Sequence, residues 1–491
     1  MNENKRDGVT YRKTDASYFE KRSLRRFAGV WSLWALGVGA VISGDFFGWN
    51  FGLLSGGFGG LLVATVIVAI MYIGLCFSIA ELSPALPHAG GAYSFGRTAF
   101  GPWGGFLTGL AESIEYVLTP AVIVVGIGGY VGTIAETSFG LVLPAPLWWA
   151  LFYAVFVGIN IVGVELTFRV TVAITLLALA VLVVFWIGAF PLFRWEYALN
   201  IAPDPGASRW FPKGLSGISA SLPFAIWFYL AIEQLPLAAE ESHDPKRDMP
   251  RGLLWGIATL IVASIFTLFL NAGIAPGAAA VGESEEPLFL AFRTIFGEGT
   301  GSTVLALAAV AGLVASFHAI IYAYGRNIYS LARAGYFPTW MSKTHPTRNT
   351  PHVALIVGAV SGYAVALIIQ YGGALFGDVP VGGVLLNMAV FGAVIAYIMQ
   401  MAAYLRIKSM TGLERPYTSP LGRTGAIVAG VIATGTLFFL FINPDYRPGV
   451  YGVALWFALS LLYFGFYARH RMILSPEEEF AERARAQTNT D

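Results

Sequence analysis

Apolar runs of about twenty residues, long enough to cross a bilayer's hydrocarbon core as a helix, recur about twelve times along this chain. Their approximate bounds are 32–54, 59–83, 103–131, 146–164, 169–191, 217–238, 252–274, 302–325, 352–371, 381–405, 424–442 and 449–468. Of the 491 residues, 56% are hydrophobic and 12% charged, which is about half the charge of a soluble domain. The chain therefore reads as an all-α polytopic membrane protein. Its loops are too short for a soluble domain. The first thirty residues are polar and basic without a cleavable apolar core, so a removed signal peptide is not expected.

Charge placement tests the span count independently. With an even number of crossings and both termini cytoplasmic, every basic residue except Arg194, Arg209, Lys213, Arg293 and Arg447 falls in an inner segment. That is the asymmetry short loops show, and an odd count scrambles it. The expected plan is a tail at 1–30, five spans within 31–191, five within 217–408, two more at 424–470, and a tail at 471–491. The acidic, Arg-containing end of that tail reads as a solvated helix or tail, and the charged loop 240–251 as solvated at the cytoplasmic face, with an inner gate network as a role for some of its charges. A net charge of +1 offers no nucleic-acid surface, and the single cysteine, Cys76, reads as apolar packing. Neither a metal-ligand spacing nor a nucleophile elbow occurs, so neither enzyme chemistry nor a cofactor is expected.

Two spans are interrupted. The first reads WALGVGAVISGDFFGWNFGLLSGG, with glycines at 37, 39, 44, 48 and 52. Each glycine weakens a helix by about 1 kcal/mol against alanine, and a carboxylate mid-span costs roughly 2.5–3.5 kcal/mol on insertion scales. A break is expected at Ser43-Gly44-Asp45. The sixth span, SLPFAIWFYLAIEQLPLAAEE, contains Pro223, Glu233 and Pro236. Weakened helices at matching positions of two inverted five-span halves point to a transporter's binding site.

GVGAVISGDFF resembles the broken first helix of the amino acid–polyamine–organocation superfamily. FYLAIEQLPLAAEESHDPKRDMPRG resembles that superfamily's sixth span and following loop, and YGRNIYSLARAGYFP its segment after span eight. Within the superfamily, GAVISGDFFGWNFG, SIAELSPALPHAGGAYSF and GFLTGLAESIEYVLTPAVIVVGIGGY are similar to the ethanolamine permeases. The resemblance implies a transporter with discontinuous helices 1 and 6. It also exposes a departure. Amino-acid carriers of the superfamily keep a small neutral triplet at the break, where backbone N–H groups meet the substrate carboxylate. Asp45 would repel that carboxylate and favour a cation such as ethanolamine.

Each candidate residue carries a bland alternative. Asp45 either contacts the substrate or caps the half-helix starting at Phe46, and no Lys or Arg in a span interior is available to pair with it. Glu112 and Glu115 share one helix face near Thr119, as second substrate carboxylate, proton carrier or backbone partner. Glu233 either fixes the broken backbone or relays protons. Trp227, by the resemblance an aromatic gate, gains about 0.5–2 kcal/mol over an ammonium; its alternative is packing. His318 either lines the site or is an ordinary hydrogen-bonded core histidine. Phe46, Phe47 and Trp49 are weaker aromatic-cage candidates.

The combined expectation is a secondary transporter importing ethanolamine or a similar amino-alcohol cation across the bacterial cytoplasmic membrane. Asp45 neutralises the ammonium, with Trp227 and a third-span glutamate assisting. Backbone groups at Ser43, Gly44 and Tyr229–Ala231 meet the hydroxyl. Partners are the cation, the bilayer and, as a candidate coupling ion, the proton. Proton-coupled relatives in the superfamily can carry a lysine in span five, and span five here has none. The rival is an amino-acid permease, which requires Asp45 to turn away from the substrate carboxylate or be protonated.

Overall fold

The computed structural model describes residues 4–12, 14, 17–284, 286–297, 299–372, 381–410 and 412–488. Lys13, part of the inner-face charge pattern, lies outside them. Each expected span coincides with helix. The principal helices are α1 (Val30–Val41), α2 (Ser43–Phe46), α3 (Phe51–Ala85), α4 (Ala92–Phe100), α5 (Pro102–Phe139), α6 (Ala145–Val162) and α7 (Val164–Ala189). They continue as α8 (Ser216–Trp227), α9 (Pro245–Ala272), α10 (Ala278–Glu283), α11 (Pro287–Phe296) and α12 (Thr300–Arg333). The rest are α13 (His352–Tyr371), α14 (Val381–Ile407), α15 (Gly422–Ile442), α16 (Arg447–Phe466) and α17 (Pro476–Thr488). Among the described residues, ten helical segments are long and apolar enough to cross a membrane unaided; the first and ninth spans are shorter, at Val30–Phe46 and His352–Ile368. The protein is an all-α polytopic membrane protein.

Burial sorts the spans into centre and periphery. In the sixth span 94% of the apolar window is buried, against 17% in the twelfth. The interrupted span therefore runs through the middle of the bundle, and the appended spans face outward. Helix α3 packs on α8 and α9, α1 on α9 and α7, and α12 on α5 and α7. Cys76 is buried and free, as expected of a packing residue.

The first interruption is displaced from its expected place. Ser43 to Phe46 stay helical, and the chain leaves the helix at Phe47, which is extended (φ −161°, ψ 151°). Gly48 follows at φ +94°, a left-handed conformation open to glycine at little cost. Helix then resumes at Phe51 and kinks at Gly57 (φ 71°) into the second span. The sixth span breaks where expected. After α8, residues 228–231 turn, Ala231 takes φ +81°, and Ile232–Glu241 continues as a 3-10 helix.

Both tails lie on one face of the molecule. Strands β1 (Asn4–Arg6) and β2 (Val9–Arg12) pair antiparallel, and β2 pairs in parallel with β3 (Met472–Ile473), Tyr11 opposite Met472. Helix α17 and the 240–251 loop are solvated on one side only, where the sequence reading has α17 solvated throughout. Glu240 is only partly exposed, at 20% of its side chain, and Glu241, Glu477 and Glu478 are buried in ion pairs with arginines.

Candidate functional site

The two interrupted spans meet end to end. A Cβ on Gly44 would lie 2.1 Å from the carbonyl oxygen of Trp227, and one on Gly48 would lie 2.6 Å from its indole Nε1. Glycine at both positions is what lets the backbones touch. The end of α2 and the end of α8 are both helix C-termini, so two negative dipole ends converge here. Asp45 sits in the last turn of α2, fully buried. Among the described residues neither of its carboxylate oxygens has a hydrogen-bond partner meeting full geometry. It therefore does not cap the next helix. Asn50 instead closes the turn before the next helix, its Oδ1 accepting from the Gly48 N–H at 3.1 Å and its Nδ2 donating to Val281 O and Ser284 O, each at 2.8 Å.

The wall facing Asp45 comes from α9 and the sixth-span break. The Thr267 hydroxyl lies within reach of the Asp45 carboxylate, short of full hydrogen-bond geometry, and Tyr229 is close enough to feel its charge. Both polar atoms of Asn271 are buried without partners among the described residues, and Ser264 bonds the Tyr229 hydroxyl at 2.7 Å. Ser264, Thr267 and Asn271 are spaced i, i+3 and i+7, one face of the helix. That polar stripe was readable in the sequence and was missed. Ser316 was missed too. Its hydroxyl accepts from the Ser43 N–H at 2.9 Å and donates to Gly39 O at 2.8 Å, tying the end of the first span to α12. Phe46 lays its ring on Gly312 of the same helix. Trp227 is buried with its indole N–H unpartnered, and Trp49, equally unpartnered, stacks on Phe228 at 5.4 Å.

Glu112 and Glu115 are gathered with Glu233 rather than with Asp45. Between the two centres stand Tyr72 and Tyr229, ring centroids 5.3 Å apart. Glu112 accepts from Tyr116 at 3.2 Å and from Asn327 at 3.3 Å. Glu115 and Glu233 face each other, buried, with no hydrogen-bond partner meeting full geometry for any carboxylate oxygen among the described residues. The hydroxyls of Tyr72 and Tyr397, bonded to each other at 2.8 Å, border this trio. His318 joins neither group. Its ring nitrogens meet Asn160 and Thr167 O, both at 3.2 Å, in the packing between α6, α7 and α12. That is the ordinary core histidine of the bland alternative.

Buried arginines do exist, but all of them serve the face that carries the tails. Arg326 and Arg333 are seven residues apart on one side of α12. Arg326 pairs with Glu241 at 2.9 Å, and Tyr322 also bonds Glu241; Arg333 pairs with Glu240 at 2.5 Å. Backbone bonds from Phe27 and Ala28 to Glu241 O, at 2.8 and 2.9 Å, close the seam between the first and sixth spans.

Two discontinuous helices thus meet at a buried carboxylate, and a layer of ion pairs lies on the face that carries the tails. The sequence profile of the amino acid permeases matches residues 29–466. The chain belongs to the amino acid permease family. Among relatives of this permease, an uncharacterized transporter of Rhizobium meliloti strain 1021 is 31% identical over 69% of this chain and 71% of its own length. The branched-chain amino acid permease BcaP of Bacillus subtilis strain 168 is 24% identical over 91% of this chain and 94% of its own. The methylthioribose transporter of the same organism is 24% identical over 94% and 98%. The permease is accordingly a secondary transporter of the amino acid–polyamine–organocation superfamily, with a small solute as its substrate.

Proposed function

We propose that this permease imports a small organic cation lacking a carboxylate, ethanolamine or a close amino alcohol, by alternating access. One observation carries the reading: Asp45 is buried at the junction of two helix C-termini, with the neutral Thr267 hydroxyl in reach and no counter-charge among the described residues. Each terminus carries roughly half a negative charge, so the site presents a negative field with no cation among the described residues to answer it. An ammonium fits there. The Trp227 indole, beside the same break, adds a cation–π surface. Thr267, Asn271 and the backbone at Ser43–Gly44 and Tyr229–Ala231 are the groups available for a hydroxyl. A zwitterionic amino acid would bring its own carboxylate into this field.

Proton coupling fits the second carboxylate centre. Glu115 and Glu233 face each other without a cation between them, an arrangement that holds one proton between two carboxyls. In this reading the termini are cytoplasmic, and the ion-paired face of α12 is the inner gate. The rival remains an amino-acid substrate, favoured by the similarity to the branched-chain amino acid permease BcaP. Uptake of labelled ethanolamine into proteoliposomes decides between them. Excess unlabelled ethanolamine should abolish the signal and excess alanine should leave it intact. Saturable alanine uptake that ethanolamine fails to block would transfer the site to amino acids.

A further inference from the structure

Arg333 is shared by two carboxylates that belong to different parts of the chain. Glu240 comes from the 3-10 segment of the sixth span and binds with both oxygens, at 2.5 and 3.2 Å. Glu477 comes from α17 and bonds the same guanidinium nitrogen, Nη2. The two carboxylates differ in how firmly their segments are held, Glu240 itself accepting one further bond, from the Ala89 N–H at 3.1 Å. Next to Glu477, Glu478 is fixed by Arg97 at 2.5 Å, Tyr11 at 2.6 Å, Tyr336 at 2.9 Å and Tyr93 at 3.1 Å. The Ile473 N–H bonds Ala334 O at 2.9 Å, pinning the start of the tail to the end of α12. Glu477 thus travels with Arg333. Glu240 sits on a ten-residue 3-10 stretch, far longer than usual runs, and such stretches mark hinges.

We propose that Glu477 is a positioning residue for gate opening: it keeps Arg333 paired when Glu240 withdraws. The geometry has room for the exchange. Glu477 Oε2 and Arg333 Nε are both buried and unpartnered, so the pair can close into a two-point contact once Glu240 leaves. Without Glu477, opening this face would leave the buried guanidinium with the neutral Tyr329 hydroxyl, at 2.9 Å, and no counter-charge, which is strongly unfavourable. The carboxylates on Arg333 therefore act in opposite directions. Glu240 holds the face shut, and Glu477 makes its release affordable.

This inference rests on the alternating-access part of the proposed function, with the sixth-span segment as the moving element, and not on the identity of the substrate. It is tested without substrate. In a Cys76→Ser background, Ala238→Cys places a reporter on the buried 3-10 segment, and its labelling by a membrane-impermeant maleimide is followed in nanodiscs. Glu240→Gln should speed labelling and Glu477→Gln should slow it, each by at least about fivefold. Glu477→Asp, which keeps the charge on a shorter arm, should slow it less. Faster labelling in Glu477→Gln would make the tail a simple latch and overturn the proposal, as would no change. Should Glu477→Gln fail to fold, the Glu477→Asp variant decides by the same sign. Failure of ethanolamine transport leaves this readout interpretable.

Discussion

Asp45 was conspicuous because a carboxylate inside an apolar run has no cheap explanation. Its neighbours were not. Asn50, Ser316 and Thr267 are small polar residues, common in spans, and their roles come from partners up to 277 residues away. Glu112 and Glu115 were visible as a pair, but only tertiary packing reveals that they join Glu233. At this scale Asp45→Asn removes a desolvated charge without changing volume. It should melt no lower than the parent in a thermal scan in detergent, since functional carboxylates of this kind detract from stability. Glu115→Gln should retain ethanolamine binding and lose acceleration of uptake by an inwardly directed proton gradient. Gradient-driven uptake that survives in both Glu115→Gln and Glu233→Gln would remove the proton from this pair.

Among the elements, span positions were legible because hydropathy and length alone fix them, whereas the position of the first break was not. Ser43-Gly44-Asp45 looks like a breaking triplet, yet Gly44 is needed for contact with the Trp227 carbonyl, and the positive φ falls on Gly48. Glycine serves close approach and chain reversal alike, and a sequence does not separate the two. The distinction can be measured. Gly44→Ala forces a Cβ to 2.1 Å from backbone, where nothing flexible can yield, so it should destabilise by about 1–3 kcal/mol and abolish uptake. Gly126→Ala, with nothing within 4 Å of its new Cβ, should match the parent in both thermal melting and transport. Equal behaviour of the two variants would show that the broken helices do not meet as described.

For the molecule as a whole, the placement of basic residues anticipated one charged face, and both tails do lie together there. The fate of those charges was hidden. Clusters such as EESHDPKR and SPEEEFAER read locally as solvent-exposed, but Glu241, Glu477 and Glu478 within them are buried against arginines as far as 381 residues away. A cation carried alone moves charge through the whole molecule, and the membrane potential is worth about 2.3 kcal/mol per charge per 100 mV. An inside-negative potassium diffusion potential should therefore accelerate ethanolamine uptake into proteoliposomes; indifference to potential would require compensating charge movement. Selection of a cation by the charge of Asp45 is most directly measured by calorimetric titration of ethanolamine and alanine into the parent and the Asp45→Asn variant. Ethanolamine should bind the parent, alanine should not, and the variant should lose affinity by at least about 30-fold, the scale of removing one partner of a buried charge pair. Parent-like ethanolamine affinity in a folded Asp45→Asn variant, or tight alanine binding by the parent, would contradict it.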